Sequence, residues 1–327
     1  RHYHDFNADM LITVKEPWIF RSLHNESINY TPMAIIDHSP VSPHITSKLR
    51  TAFKVIAISR HGQKELKNKD IDSTYIPHGV PTNIYKPLNE RQRKICKTMF
   101  HFEEDEFVVL MVQMNRSRKL IPHQLRGYKR FLELNPDVKS RLMLWTNMRP
   151  TRTPEDTEPG LGVADVGVDL IPELFELGLE DPVRWTDFGE LPEGIPDWTL
   201  DFSLGGWDMV KLYNSANTLL HCTGGEGAGL PLLEAQACGL PVQTTNYAGG
   251  PEHVGCGYKV KAEDYVILNT PGTRYYMADI DEMAENLTKI MNGNPEKMRK
   301  KARAFAERFD WDNVVDKYMN PFLDDCE

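Results

Sequence analysis

Residues Thr223–Pro241 read TGGEGAGLPLLEAQACGLP. Gly224, Gly225, Gly227 and Gly229 crowd the front of this stretch, and two carboxylates, Glu226 and Glu234, stand eight positions apart around Pro231. One reading is a flexible loop followed by an acidic first helical turn that suits the helix dipole. The other is a binding turn. Glycines without Cβ let backbone N–H groups approach an anion closely, and a helix N-terminus adds partial positive charge.

The letters around the turn narrow the choice. Thr218–His221 supplies an apolar strand before the glycines, and Pro231 suits the opening of a helix after them. A P-loop requires Gly-Lys-Ser/Thr after the glycines, where Leu230-Pro231 stands instead. A dinucleotide fingerprint requires G-x-G-x-x-G, but from Gly225 and Gly227 the third position is Leu230. A diphosphate fits the turn, and Glu226 beside it is tolerable only if it faces a hydroxyl-bearing group such as a sugar. Glu234, one turn into the helix, has the position to accept from vicinal ribose hydroxyls.

The chain around this motif has 327 residues, 40% apolar and 26% charged, enough for two compact domains. Its net charge of −9 argues against nucleic acid as a partner. The short basic clusters Arg91–Lys97 and Arg116–Lys119 read first as solvated faces. No apolar run approaches the ~20 residues that span a bilayer, and the first residues do not read as a signal peptide. Cys96, Cys222, Cys238, Cys256 and Cys326 are widely spaced, odd in number and lack a CxxC pair. Reduced thiols in a cytoplasmic setting are expected, with no metal site.

Short β-branched runs alternate with helical patterns, which predicts an α/β fold built on parallel sheets. The spacing predicts strands over Asp9–Val14, Met33–Asp37, Lys54–Ser59, Ser73–Ile76, Phe107–Gln113, Arg141–Trp145, Val183–Asp187, Thr218–His221 and Pro241–Thr244. Helices are predicted over Thr46–Ala52, Gly62–Asn68, Gln124–Leu134, Asp208–Ser215, Pro231–Ala237 and Ile280–Met291. The polar run Asn89–Asp105 reads as the boundary between two units. Residues 151–207, dense in Pro, Gly and Asp, read as a surface insertion or as an acceptor or partner contact, with one strand, Val183–Asp187, and one short helix, Ile171–Leu177. Lys297–Cys326 is a helical pattern broken near Phe309–Asp312, where Asp310 has the character of a cap.

Taken together, Glu226-Gly-Ala-Gly-Leu-Pro-Leu-Leu-Glu234-Ala-Gln-Ala-Cys-Gly-Leu-Pro-Val242 resembles the E-G-[F/A]-G-L-P-x-x-E-A-x-A-x-G-x-P-V signature of retaining GT-B glycosyltransferases of family 4. Val55–Ser59, Ile76-Pro-His-Gly-Val80 through Tyr85-Lys-Pro87, Leu212-Tyr-Asn-Ser-Ala216, Gly249-Gly-Pro-Glu-His253 and Phe309-Asp-Trp-Asp312 agree, in the family's order. The resemblance implies GT-B architecture: two Rossmann-like doubly wound domains facing a cleft. Residues 1–100 would form the acceptor-side domain, with no match to the family's front glycine turn. Residues 101–308 would hold the donor, and 309–327 would pack back towards the first domain.

By the same resemblance, Glu226 contacts the donor sugar and Glu234 the ribose. The backbone of Gly225, Gly227, Ala228, Gly229 and Leu230 lines the diphosphate site. The family's basic clamp, Gly-Arg followed by Lys, maps to Gln113-Met-Asn-Arg-Ser-Arg-Lys119: Lys119 matches, and Arg116 or Arg118 stands in for the missing arginine. His38, in Ile-Ile-Asp-His-Ser-Pro40, falls where the family carries a cleft histidine. The implied reaction is retaining transfer from a UDP- or GDP-linked sugar to a hydroxyl of a glycan, lipid or protein, without metal or other cofactor. The alternatives are a non-catalytic nucleotide-binding or partner subunit and, less well matched by the glycine spacing, a nicotinamide-dependent oxidoreductase.

Overall fold

The computed structural model describes residues 2–14, 28–146, 167–187, 200–201, 206–268 and 273–326. The remainder of the 151–207 insertion therefore lies outside the described residues. A short helix α1 (His2–Asp5) leads into a four-stranded parallel sheet, ordered β1 (Leu11–Thr13), β2 (Tyr30–Ala34), β3 (Ile56–Ala57), β4 (Thr74–Tyr75). Helices α2 (Pro43–Leu49) and α3 (Arg60–Lys67) connect these strands. On one face of the sheet Ala34, Ile36, Ile45, Leu49, Ala57 and Leu66 pack together.

The second sheet has seven strands in the order β11-β10-β9-β5-β6-β7-β8. These are β5 (Phe107–Val112), β6 (Ser140–Trp145), β7 (Val183–Asp187), β8 (Leu200–Asp201), β9 (Thr218–His221), β10 (Val242–Thr245) and β11 (Gly257–Val260). Every pairing in it is parallel. Its central strand FVVLMV is apolar because both faces are covered: Val109 and Met111 enter one cluster, Val108 and Leu110 the other. Leu110→Ala there removes about 2–5 kcal/mol of stability.

Helices α4 (Glu90–Met99), α5 (Ile121–Leu134), α6 (Ile171–Leu177), α7 (Gly206–Ser215), α8 (Leu230–Ala237), α9 (Ile280–Met291) and α10 (Pro295–Ala306) accompany this sheet. Several features depart from the sequence reading. The polar run 89–105 contains α4, opened by a reciprocal Asn89–Gln92 capping box, and α4 packs on α7 with Arg93 donating to the Asn214 carbonyl (3.3 Å). So residues 90–99, expected with the first domain, pack with the second. Edge strand β11 and the antiparallel hairpin β12 (Ala262–Leu268) and β13 (Thr273–Ala278) had no counterpart in the pattern. The hairpin eluded it because β12 begins Ala-Glu-Asp and is largely exposed, which removes the period-two signal.

The chain crosses between the two units twice, side by side. Val80 N–H donates to the Phe309 carbonyl (2.8 Å), and the Thr82 hydroxyl donates to Asp310 Oδ2 (2.5 Å). Beyond the second crossing, α11 (Trp311–Val314), a π turn and α12 (Asn320–Asp324) return to the first sheet. Val314 and Phe322 bury themselves against Met33, Ile56, Ile58 and Ile76 on its second face. Among the described residues no helix is long and apolar enough to cross a membrane.

Candidate active site

Strand order in the large sheet reverses between β5 and β9, so the loops leaving their carboxyl ends face one crevice. From β5, a 3-10 turn at Ser117–Lys119 projects Arg118 and Lys119. From β9 comes the glycine turn with Glu226. They meet there: Lys119 Nζ donates to Glu226 Oε1, and Arg118 Nη1 lies 3.5 Å from Glu226 Oε2 while donating to the Gly225 carbonyl at 3.1 Å. His221, on β9 itself, places Nε2 3.1 Å from Glu226 Oε1. The carboxylate fixes that nitrogen as the donor, so Nε2 carries the proton.

The first domain closes the other side. Asp37 Oδ2 is 3.8 Å from Arg118 Nε, and its Oδ1 accepts from His38 Nδ1 at 2.7 Å. Among the described residues, His38 Nε2 and His221 Nδ1 are buried without a hydrogen-bond partner. Burial alone would raise the Glu226 pKa, but Lys119, Arg118 and the His221 donor outweigh it and hold Glu226 well below the usual glutamate value. Burial likewise works against Asp37, yet His38 and Arg118 keep it below the aspartate value. Burial pushes His221 down despite its bond to Glu226, so the imidazole is neutral. Arg118 stays charged because Glu226 and Asp37 overcome its desolvation. Two carboxylates and two cations thus sit in balance in a buried crevice.

The glycines are needed for close approach. A Cβ on Gly225 would lie 2.2 Å from the Asp37 carbonyl oxygen, and one on Gly227 would lie 2.6 Å from Ile35 Cγ2. Gly229 takes φ +79°, a left-handed conformation that turns the chain into α8. Among the described residues, the amides of Gly225, Gly227, Ala228 and Gly229 have no acceptor within hydrogen-bond reach. Those amides and the start of α8 form the kind of concavity that takes an anion.

Glu234 lies elsewhere on the same motif. It is half-buried, and its Oε2 accepts from the Tyr213 hydroxyl at 2.7 Å. Burial raises its pKa above the glutamate value, against the lowering effect of bonds from Tyr213 and Tyr85. Leu230, 40% exposed, and Pro231 share its accessible stripe of α8. Arg116 sits half-buried at the start of the 3-10 turn; of the two candidate arginines, Arg118 is the one that reaches Glu226.

Four residues the motif reading did not single out shape the crevice. Asp37 and His221 complete the charge cluster, and Glu252 and Tyr247 tie the domains together. Glu252 accepts from the Arg60 and His61 backbone N–H groups (2.8 and 2.7 Å), capping α3 of the opposite domain. Tyr247 Oη accepts from Ser39 N–H at 2.7 Å. Gly249 N–H donates to the Glu226 carbonyl at 2.8 Å, joining this clasp to the glycine turn. Glu252 stood inside the quoted Gly249–His253 segment, but nothing in one sequence tells a cross-domain cap from an exposed acid. A cavity of about 730 Å³ lined by Leu49, Phe53, Val55, Asp70 and Thr74 lies at the amino ends of β3 and β4. That is the wrong end of a parallel sheet for ligand chemistry, and the charged crevice is the better candidate. Among the described residues no three His, Cys, Asp or Glu side chains converge to hold a metal ion.

Comparison with known proteins places this geometry. The model of the family "Glycosyl transferases group 1" matches residues 199–308, which contain the glycine turn and α8. An O-antigen chain mannosyltransferase B of Escherichia coli is 28% identical over 117 residues, 35% of this chain and 27% of the relative. A D-inositol 3-phosphate glycosyltransferase of Acidothermus cellulolyticus is 24% identical over 249 residues, 76% of this chain and 47% of the relative. The chain thus spans less than half the length of these curated relatives. Among solved structures, sucrose-phosphate synthase from Thermosynechococcus elongatus superposes with a TM-score of 0.70 at 16% identity, covering 99% of this chain and 75% of that one. HepE from Anabaena, in complex with UDP and glucose, gives 0.64 at 18%, covering 91% and 72%. The fold is GT-B: two units on parallel sheets meeting at a crevice.

Proposed function

We propose that this chain carries the donor site of a retaining glycosyltransferase of the family 4 type, moving a sugar from a UDP- or GDP-linked donor to an acceptor hydroxyl. The observation that carries the reading is the meeting of Glu226, Lys119 and Arg118 beside unpartnered amides at the start of α8. Lys119 and Arg118 supply the positive charge that a diphosphate needs as its bond to the sugar breaks, and the amides and helix start add to it. With Glu226 and Asp37 as counter-ions, both cations are held in place before a donor arrives. Glu226 accepts from a donor-sugar hydroxyl, and Glu234 from the ribose.

Retention follows a path in which the departing phosphate takes the acceptor's proton on the face it leaves, through an oxocarbenium-like state. No side chain is needed as nucleophile and no metal is invoked. His38, with Nδ1 bonded to Asp37 and Nε2 unpartnered, offers an imidazole edge to the transferring sugar. Support comes from relatives named as a mannosyltransferase and a glycosyltransferase, and from HepE, a neighbour in fold bound to UDP and glucose. A missing front segment and the altered clamp are the grounds for the alternative of a non-catalytic subunit; Arg118 beside Lys119 offers the clamp a second cation.

The test is a thermal-shift panel of UDP, GDP, UDP-glucose and GDP-mannose on the chain and on Lys119→Gln. One nucleotide series raising the melting temperature, and losing that effect in the variant, is the expected result, because a ligand that binds only the folded state stabilises it. A folded chain that responds to none of the four overturns the proposal.

A further inference from the structure

Helix α8 has one accessible stripe, Leu230, Pro231 and Glu234, while Leu232, Leu233, Ala235, Gln236 and Ala237 are buried. Glu234 is the only charge on that stripe, and its carboxylate is already bonded from the protein side. The Tyr213 hydroxyl, on α7, donates to Oε2 at 2.7 Å, and Tyr85, from the segment that crosses between domains, also faces this carboxylate. Tyr213 is completely buried, and its ring packs edge-on to Tyr85 at 6.0 Å and 64°. Its hydroxyl is therefore fixed in position by the core.

A glutamate on an accessible stripe has three side-chain torsions free, and a ribose needs its vicinal hydroxyls met at one orientation. An ionised carboxylate offers about four lone-pair sites. The Tyr213 hydroxyl occupies part of that capacity and leaves the rest for a ligand. Holding a binding group by packed neighbours is what confers selectivity for one hydroxyl pattern.

We propose that Tyr213 is a positioning residue: it holds Glu234 so that the carboxylate meets the 2′- and 3′-hydroxyls of the donor's ribose, and preference for ribonucleotides over 2′-deoxyribonucleotides depends on its hydroxyl. The inference rests on the reading of Glu234 as the ribose contact. Its consequence is specific. Loss of the Tyr213 hydroxyl weakens binding of the ribonucleotide more than binding of the 2′-deoxy form, which keeps only the 3′-hydroxyl contact.

The experiment is calorimetric titration of the full chain with UDP, GDP and their 2′-deoxy forms, for wild type, Tyr213→Phe, Glu234→Gln and the double variant. Wild type is expected to prefer the ribonucleotide by about tenfold or more, the scale of one hydrogen bond to a charged group. Tyr213→Phe should bring that ratio to within about threefold, and the double variant should match Glu234→Gln, because Tyr213 acts through Glu234. A collapsed ratio in Glu234→Gln with the wild-type ratio kept in Tyr213→Phe overturns the positioning role alone. An unchanged ratio in Glu234→Gln overturns the ribose reading and the inference with it, as does a wild type that binds neither nucleotide. Should Tyr213→Phe fail to fold, Glu234→Asp draws the carboxylate back from an intact Tyr213, and a ratio kept there overturns the inference.

Discussion

Glu226 and Glu234 belong to one glycine-led turn and helix, yet the fold surrounds them with opposite chemistry. Glu226 faces Lys119, Arg118 and the His221 donor, and its pKa is driven down. Glu234 faces two tyrosine hydroxyls in a partly buried site, and its pKa is driven up. The difference follows from what each helix and loop brings to the crevice: β5 contributes cations at its carboxyl end, whereas α7 contributes an aromatic core residue. A carboxylate tied to cations stays ionised, which suits it to accept from a hydroxyl beside an anion site. One held by neutral hydroxyls is suited to reading other hydroxyls.

The contrast can be broken first at its strongest contact. Lys119→Met leaves Glu226 buried with a depleted set of partners and should lower stability by about 3–5 kcal/mol, read from urea unfolding, whereas Tyr213→Phe should cost far less. Next, Glu226→Gln should weaken a nucleotide-sugar by about ten- to a hundredfold and leave the free nucleotide diphosphate nearly unchanged; Glu234→Gln should weaken both alike. Titration calorimetry with the two ligand forms separates these outcomes.

Gly225→Ala drives a methyl into the Asp37 carbonyl and should destabilise the closed crevice by about 1–3 kcal/mol, visible as a lower melting temperature and a larger radius in small-angle scattering. A pH series sharpens the contrast further. The lowered pKa of Glu226 contributes stability above its unfolded value and loses it as pH falls. The raised pKa of Glu234 contributes below its unfolded value and loses it as pH rises. Glu226→Gln should therefore trail wild type above about pH 4.3 and close the gap as pH falls below it, whereas Glu234→Gln should gain on wild type as pH rises above it, measured by urea midpoints. Smallest is Leu230→Ala, an exposed neighbour of Glu234 whose stability effect should stay within about 0.5 kcal/mol.

Much of this was legible in the letters. Phe107–Val112 announced a strand buried on both faces, and the glycine turn, Pro231 and the two glutamates marked the crevice. What escaped did so for physical reasons. Helix α4 buries little beyond Cys96 and so shows almost no apolar stripe, although its Asn89–Gln92 box was a usable signal. Asp37 and His221 join the site only because two strands from different parts of the chain deliver them to one place, which no local pattern records. Tyr213 lay inside a quoted segment, but its bond to Glu234 spans 21 positions and two helices.

The paired crossings at Val80–Thr82 and Phe309–Asp310 bear on how the crevice opens. A single connecting strand would let the two units swing and swivel freely about it. Two strands, bonded side by side at the Val80–Phe309 and Thr82–Asp310 contacts, restrain that swivel. Any opening of the crevice would have to part Asp37 from Arg118 and Glu252 from α3, so whatever enters it competes with both contacts.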